Sequence, residues 1–383
     1  MRSSLLATLA ALSLAACSEA PTGPRSAAPT APAFEANHGD GASGAVFTQT
    51  NAAAGNAVVA FARAGDGSLT YAGTFGTGGN GIGGTTDPLA SQYSLILDGE
   101  DAKLLFVVNA GSGTISTFRV VGANLTLLGT TSSRGTLPVS LAVARNTLYV
   151  LNAGSNNVAG FDIGEDGTLT PDAAASAPLS AGASGGAAVR ASRDGQLLVV
   201  TEKNSRTIDV YQIGARGALG QPVSSPSSGI SPFGFDFVDG DQIAVSEAGS
   251  AAASLYDVGS NDALNVESAS VSTNGQAAPC WLIATTNGRF AFTANAGSGT
   301  ISGYGIANGS LQLLVPSGVS GSTGAGSSPL DLDLSRGDHF LYVLESGAGR
   351  IGAFAVSGNG GLAPLAGIGG LAASQGLQGL AAY

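Results

Sequence analysis

Three observations predict an all-β chain: a seven-bladed β-propeller of four-stranded antiparallel blades, its ring closed by C-terminal strand one pairing with N-terminal strands two to four. First, an apolar, strand-like run ending in a short polar turn recurs seven times, with copies at Val46, Leu105, Leu148, Leu198, Ile243, Phe290 and Leu341. The spacing is near fifty residues, and repeats of that period stack so that neighbours share one core. Second, only 11% of the 383 residues are charged and 59 are glycine, while Val, Ile, Thr, Phe and Tyr gather in short runs between Gly, Asn, Asp and Ser. That is the composition of many short strands and tight turns. Third, no stretch carries the long 3.6-residue periodicity of an amphipathic helix.

The sixth copy shows the unit. Pro279 to Ala284 is an apolar run, Thr286-Asn287-Gly288-Arg289 a tight turn, Phe290 to Thr293 a second strand, and Asn295 to Gly299 a turn. Ile301 to Tyr304 then makes a third strand, Asn308-Gly309 a turn, and Leu311 to Val315 a fourth. Innermost strands are predicted at Tyr93 to Leu97, Val139 to Val143, Ala187 to Ala191, Phe233 to Phe237, Cys280 to Ala284, Leu330 to Leu334 and Leu377 to Tyr383. The last of these has no second strand after it, and the first copy has no first strand before it. The two halves complete one blade, which removes the open edges of a linear array. In such a meander the lead-in to strand one and the turn between strands two and three share a face. His339, in the turn between strands one and two, belongs to the other face.

The N-terminus reads as an address. Arg2 supplies a positive charge, Leu5 to Ala16 is an apolar run too short to span a bilayer, and Leu14-Ala15-Ala16-Cys17 resembles a bacterial lipobox. The expectation is a signal peptide over residues 1–16, a lipidated Cys17 heading a Pro/Ala/Ser/Gly tether to residue 44, and a propeller over 45–383. The protein is then exported and lipid-anchored in the bacterial cell envelope, at the outer membrane or periplasmic side, as a monomer that meets membrane only through its anchor. A net charge of −11 argues against a nucleic-acid partner, which needs a basic face.

The repeats resemble those of the lactonase-like seven-bladed propellers, the group of phosphogluconolactonase and carboxymuconate cyclase with YVTN-type repeats. Leu148-Tyr149-Val150-Leu151-Asn152, Leu341-Tyr342-Val343-Leu344-Glu345 and the Gly-x-Leu openings at Gly67, Gly167 and Gly309 carry the resemblance, which covers roughly Ala45 to Tyr383. It implies action on a lactone, with His and Arg at the starts of inner strands. The matching positions here read Gly185-Gly186-Ala187-Ala188, Ser231-Pro232-Phe233-Gly234 and Ser328-Pro329-Leu330-Asp331, so the prolines persist without the basic residues. The two histidines, His38 in the tether and His339 on the opposite face, do not replace them.

Lactone hydrolysis needs a base to activate water and a group to stabilise an oxyanion. On the proper face the candidate bases are Glu202, Glu247 and Glu345 at the repeat turn and Asp331 at an inner-strand start, with Arg190 and Lys203 the nearest cations. Other copies carry Asn51, Asn109, Asn152 and Asn295 at the turn, so these acids also read as acceptors for backbone N–H groups. Asn109, Asn152 and Asn295 border the same face as candidate ligand contacts. Asp236 and Asp333 occupy equivalent inner-strand positions and read either as channel lining or as buried, hydrogen-bonded acids. Trp281, beside Cys280, is the only tryptophan, and at a channel mouth its ring would stack on a sugar or lactone. Burial between blades is the other reading. No cofactor is required, although channel carboxylates and amides are the oxygen ligands Ca²⁺ prefers. The G-x-S-x-G at Gly182 and G-x-G-x-x-G at Gly76 lack the strand-turn-helix context that gives those patterns meaning. Two functions remain: an exported hydrolase or isomerase of a lactone or sugar acid, and a non-catalytic propeller presenting one face to a small ligand, a glycan or an envelope protein.

Overall fold

The computed structural model describes residues 43–99, 101–180 and 184–383. The signal peptide, Cys17, His38, most of the tether, and Gly182 and Ala183 of the G-x-S-x-G pattern lie outside them. The described chain forms seven antiparallel sheets. The first blade joins Gly44–Gln49, Ala57–Arg63 and Leu69–Gly76 to the C-terminal strand Gln378–Ala382, which lies innermost. The next six blades begin at inner strands Leu95–Leu97, Pro138–Ala144, Gly186–Ala191, Pro232–Phe237, Pro279–Ala284 and Pro329–Leu334. The sixth gains a two-residue fifth strand, Gly321–Ser322, against its third.

Burial falls off from axis to rim, as stacking of the blades requires. Inner and second strands are packed on both faces and read as continuous buried runs, for example Pro279–Ala284 and Phe340–Glu345. Outer strands such as Leu69–Gly76 and Leu264–Ser272 are largely exposed on alternate residues. Two buried tyrosines tie blade to blade: Tyr149 Oη donates to Gly217 O at 2.7 Å and Tyr342 Oη to Gly67 O at 2.8 Å. Each acceptor is a glycine with positive φ in the outer turn of the next blade, at φ 78° and 85° respectively.

Closure follows the predicted pairing. Val46 faces Ala382, Phe47 faces Ala381, Thr48 faces Leu380, and a bulge shifts Gln49 opposite Gln378. Arg63 Nε donates to Tyr383 O at 3.0 Å, and the Phe47 and Tyr383 rings stack at 6.4 Å.

The axis departs from expectation. The second blade's inner strand is only three residues long, not the predicted Tyr93 to Leu97, because the preceding segment turns into the ring. Asp87, Ala90 and Tyr93 take positive φ there. Gln92 N donates to Ala187 O at 3.0 Å in the fourth blade, Gln92 Nε2 to Leu282 O at 2.7 Å in the sixth, and Tyr93 Oη to Phe235 O at 2.8 Å in the fifth. Ser91 Oγ donates to Val139 O at 2.8 Å in the third. One segment that reaches four other blades crosses the axis and fills it.

The ring is closed by strand pairing alone, and the closing strand is buried along its length. Leu380, 4% exposed, packs in the core, so Leu380→Ala is expected to cost roughly 2–5 kcal/mol. Removing residues 377–383 should abolish a cooperative thermal melt and expose the edge of Gly44–Gln49. Circular-dichroism melting of both variants checks this, and an unchanged midpoint for the truncated chain would exclude the closure described.

Candidate functional site

The six repeat-turn positions singled out as acids or amides face into their own blades, between strands two and three. Asn109 Nδ2 donates to Thr114 Oγ1 at 3.1 Å and Ser116 Oγ at 2.7 Å, and Asn295 Nδ2 repeats this with Thr300 at 3.1 Å and Ser302 at 2.9 Å. Asn152 Nδ2 donates to Ser133 O at 3.0 Å. Glu247 Oε1 accepts from Gly229 N and Ser254 Oγ at 2.7 Å each and from Tyr256 Oη at 3.1 Å, while its Oε2 accepts from Ser270 Oγ. Glu202 accepts from Ser205 Oγ at 2.7 Å beside the Asp209 carboxyl. Glu345 lies 3.5 Å from Arg350 Nε. Glu202 and Glu247 are fully buried and hold their turns together, whereas Glu345, 3% exposed, is paired with Arg350 and keeps its Oε2 without a hydrogen-bond donor.

Trp281 is fully buried, edge-on to Phe233 at 5.3 Å, with Nε1 donating to Ser91 O at 2.9 Å. An aromatic face open at a channel mouth is therefore not present: the segment crossing the axis covers it. Cys280 is equally buried and engaged rather than free. The two candidate cations are separated. Arg190 lies near the turn between strands one and two, at the opposite end of the axis, where Nε donates to Asp236 Oδ1 at 2.9 Å and the guanidinium covers the Tyr93 ring at 4.5 Å. His339 is exposed in the corresponding turn of the seventh blade. Asp236 and Asp333 accept amides of the next blade's inner strand, Ala284 N at 3.1 Å and Ala382 N at 2.9 Å.

Lys203 alone remains at the strand-start end, and it meets an acid that sequence reasoning passed over. Its Nζ donates to Ala90 O at 3.0 Å, in the axial segment, and its charge acts on Asp87. Burial lowers the Lys203 ammonium and Asp87 partly restores it. Asp87 is 6% exposed, and burial pushes its carboxyl up to about 7 against the pull of Gln378, Lys203 and the backbone amides of Ser91 and Ala90. Gln378 Nε2 donates to Asp87 Oδ1 at 3.2 Å. Asp87 Oδ2 and Gln378 Oε1 are buried without a protein donor. Asp331, 2% exposed, completes the group: its Oδ2 accepts from Gly379 N at 2.9 Å, and burial first, then the charge of Asp87, raise its carboxyl well above the usual range.

Both neighbours of Asp87 are breaks in the repeat. The residue after the repeat turn is Ala110, Ala153, Ala248, Ala296 or Ser346 in other blades and Lys203 in the fourth. Opposite the turn residue, the inner strand carries Pro138, Gly186, Pro232, Pro279 or Pro329 in five blades, whereas the second blade has Gln92 in this column and the closing strand Gln378. Comparing copies column by column would have found both. Asp87 itself, in a lead-in longer than the others, has no counterpart to compare. Among the described residues no three His, Cys, Asp or Glu side chains group as a metal site, and no helix is long and apolar enough to cross a membrane.

A sequence model of the family described as "Lactonase, 7-bladed beta-propeller" matches residues 54–179 and 145–264, together more than half of the chain. No curated protein matches in sequence. Solved structures share the fold: a periplasmic gluconolactonase from Pseudomonas aeruginosa, 18% identical with a TM-score of 0.66, aligns over 88% of this chain and 99% of its own. A protein from Lactobacillus plantarum, 17% identical with a TM-score of 0.70, covers the same 88% and 99%. A virginiamycin B lyase from Staphylococcus aureus, 13% identical with a TM-score of 0.53, aligns over 77% of this chain and 90% of its own.

The Glu202 site yields a pH dependence. Burial raises its carboxyl from 4.5 to about 7, with the adjacent Asp209 adding to the rise. Because the folded value exceeds the unfolded one, its stabilisation is complete below about 4.5 and is lost as pH rises through about 7. Glu202→Gln, which keeps the neutral form, should therefore melt progressively higher than the parent as pH goes from 5 to 8. A gap that stays constant across scanning-calorimetry runs in that range would refute the assignment.

Proposed function

Because the chain belongs to the lactonase family of seven-bladed β-propellers, we propose that it hydrolyses a lactone at the strand-start end of its axis, with Asp87 as general base and Lys203 as the cation for the oxyanion. One observation carries this reading: Gln378, where five other blades have proline or glycine, is bonded to Asp87, and Lys203 is bonded to Ala90 of the same axial segment. Of the residues that the sequence offered as bases, Glu202 and Glu247 are committed to turns, Glu345 is paired with Arg350, and Asp331 is held by Gly379.

A carboxyl titrating near 7 suits the task, since a base is most effective when its pKa lies near working pH. In the proposed reaction Asp87 Oδ2 takes a proton from water as the water oxygen attacks the lactone carbonyl. The carbonyl oxygen gains negative charge, which the ammonium of Lys203 stabilises in a poorly solvated setting. Collapse breaks the ring C–O bond, and the proton on Asp87 passes to the departing ring oxygen. The product is the open hydroxy acid, with Asp87 ionised again.

The filled axis favours a second reading. A propeller whose own segment occupies its centre is suited to presenting a closed face to a small ligand, a glycan or an envelope protein without turnover. For location, we propose export through the N-terminal signal, with lipid on Cys17 and the tether holding the domain at the cell envelope.

Release of acid from a panel of aldonolactones separates the two functions. The parent should turn over at least one, with activity rising as pH passes about 7, and Asp87→Asn should lower kcat by about a hundredfold or more at unchanged fold. No turnover by the parent, or full activity in Asp87→Asn, would remove the hydrolytic assignment to this site. For the anchor, the expressed full-length chain should partition into detergent and Cys17→Ser should not. Equal partitioning of both would refute lipidation at Cys17.

A further inference from the structure

We propose that Gln378, on the strand that closes the ring, is a positioning residue for Asp87: its amide nitrogen clamps one carboxylate oxygen, and its amide oxygen holds the water that the other activates. The proposal rests on the hydrolytic reading of this site and adds a residue and a reason for its place in the fold.

Five other blades put proline or glycine opposite the repeat-turn residue, where the inner strand begins. Neither type has a side chain that reaches the axis with a hydrogen bond. Gln378 stands at that place in the closing strand and is fully buried. A bulge at this point and the positive φ of Gly379, 68°, turn the backbone so that the amide faces Asp87. The backbone is secured on both sides: Thr48 Oγ1 donates to Gln378 O at 3.2 Å, and Gly379 N donates to Asp331 at 2.9 Å. Gly376 N donates to Thr85 O at 2.8 Å, so the lead-in to the closing strand is bonded to the lead-in to Asp87 itself.

Hydrogen-bond bookkeeping supplies the mechanism. The contact at 3.2 Å uses one carboxylate oxygen and one amide hydrogen, and leaves Asp87 Oδ2 and Gln378 Oε1 as buried acceptors. Two buried acceptors on side chains bonded to each other are served by a molecule with two hydrogens to give, and water is the smallest. Held that way, its oxygen lone pairs are free to attack while one hydrogen already points at the base. Ring closure and assembly of the base are then one event, because the last strand to dock brings Gln378 with it.

Gln378→Met keeps the length and removes both polar atoms. It should lower kcat about tenfold with KM within about twofold, and should shift the acid limb of the pH profile upward, because the donor that favours ionised Asp87 is gone. Leu380→Ala is the structural control: it loosens the closing strand without removing a bond to Gln378 or Asp87, and should lower the melting temperature while leaving the acid limb in place. Infrared titration of the Asp87 carboxyl, taken as the difference from Asp87→Asn, reads the same shift without any substrate. An unmoved Asp87 midpoint in Gln378→Met, or an equal movement in Leu380→Ala, overturns the proposal. An Asp87 midpoint that moves in a parent without lactone turnover instead sinks the hydrolytic reading and leaves the clamp standing.

Discussion

The innermost strand of each blade has one edge paired to its own sheet and the other turned to the axis with no strand to meet it. Unpaired N–H groups at that edge lie deep in the ring, where leaving them bare is costly. Most of the unusual features of this interior answer that demand. Ser140 accepts from Val189 N at 3.0 Å, Asp236 from Ala284 N at 3.1 Å, Asp331 from Gly379 N at 2.9 Å and Asp333 from Ala382 N at 2.9 Å, each reaching to the next blade. The axial segment does the same with Gln92, whose Oε1 accepts from Leu282 N at 3.1 Å. Side chains on one inner strand thus serve as the missing neighbour of the next.

This constraint explains why carboxyl groups are buried in a chain where charge is otherwise scarce. An aspartate accepts more than one amide and spans a gap that serine does not. Its burial has a consequence: with few cations near, Asp87 and Asp333 are raised to about 7 by desolvation, and part of the formal negative charge is neutralised by protons. Arg190 serves one end of the axis through Asp236 and Lys203 the other near Asp87. Chemistry at the axis is therefore built from groups whose first duty is to satisfy strand edges.

The number of blades, the strand order and the closing pair were legible in the sequence because they depend on alternation and turn residues, which are local and repeated. His339 on the opposite face was legible for the same reason. The axis was not, because its filling comes from a single lead-in of irregular length, Thr85 to Ser94, whose positive φ values fall on Asp87, Ala90 and Tyr93 and not on glycine. The sequence leaves Trp281 open between a channel mouth and burial between blades, and the ring is buried because the axial segment covers it. The repeat-turn glutamates drew attention by type. Their direction, into the blade, depends on strand-two register and on serines such as Ser205 and Ser254 placed across the sheet.

What separates a structural acid from a reactive one here is the count of donors it meets. Asp236 has Arg190 and the amides of Phe237 and Ala284, and Glu247 has hydroxyls and an amide on its two oxygens. Both are saturated, and a saturated carboxylate is a poor base because each donor must be given up before a proton is gained. Asp87 keeps one oxygen without a donor, as Glu345 does, and it stands against the amide of Gln378 on the closing strand. Repeat architecture makes such a departure conspicuous: seven near-copies define what the fold needs, and a position that exceeds the need while remaining buried has been shaped by something other than folding.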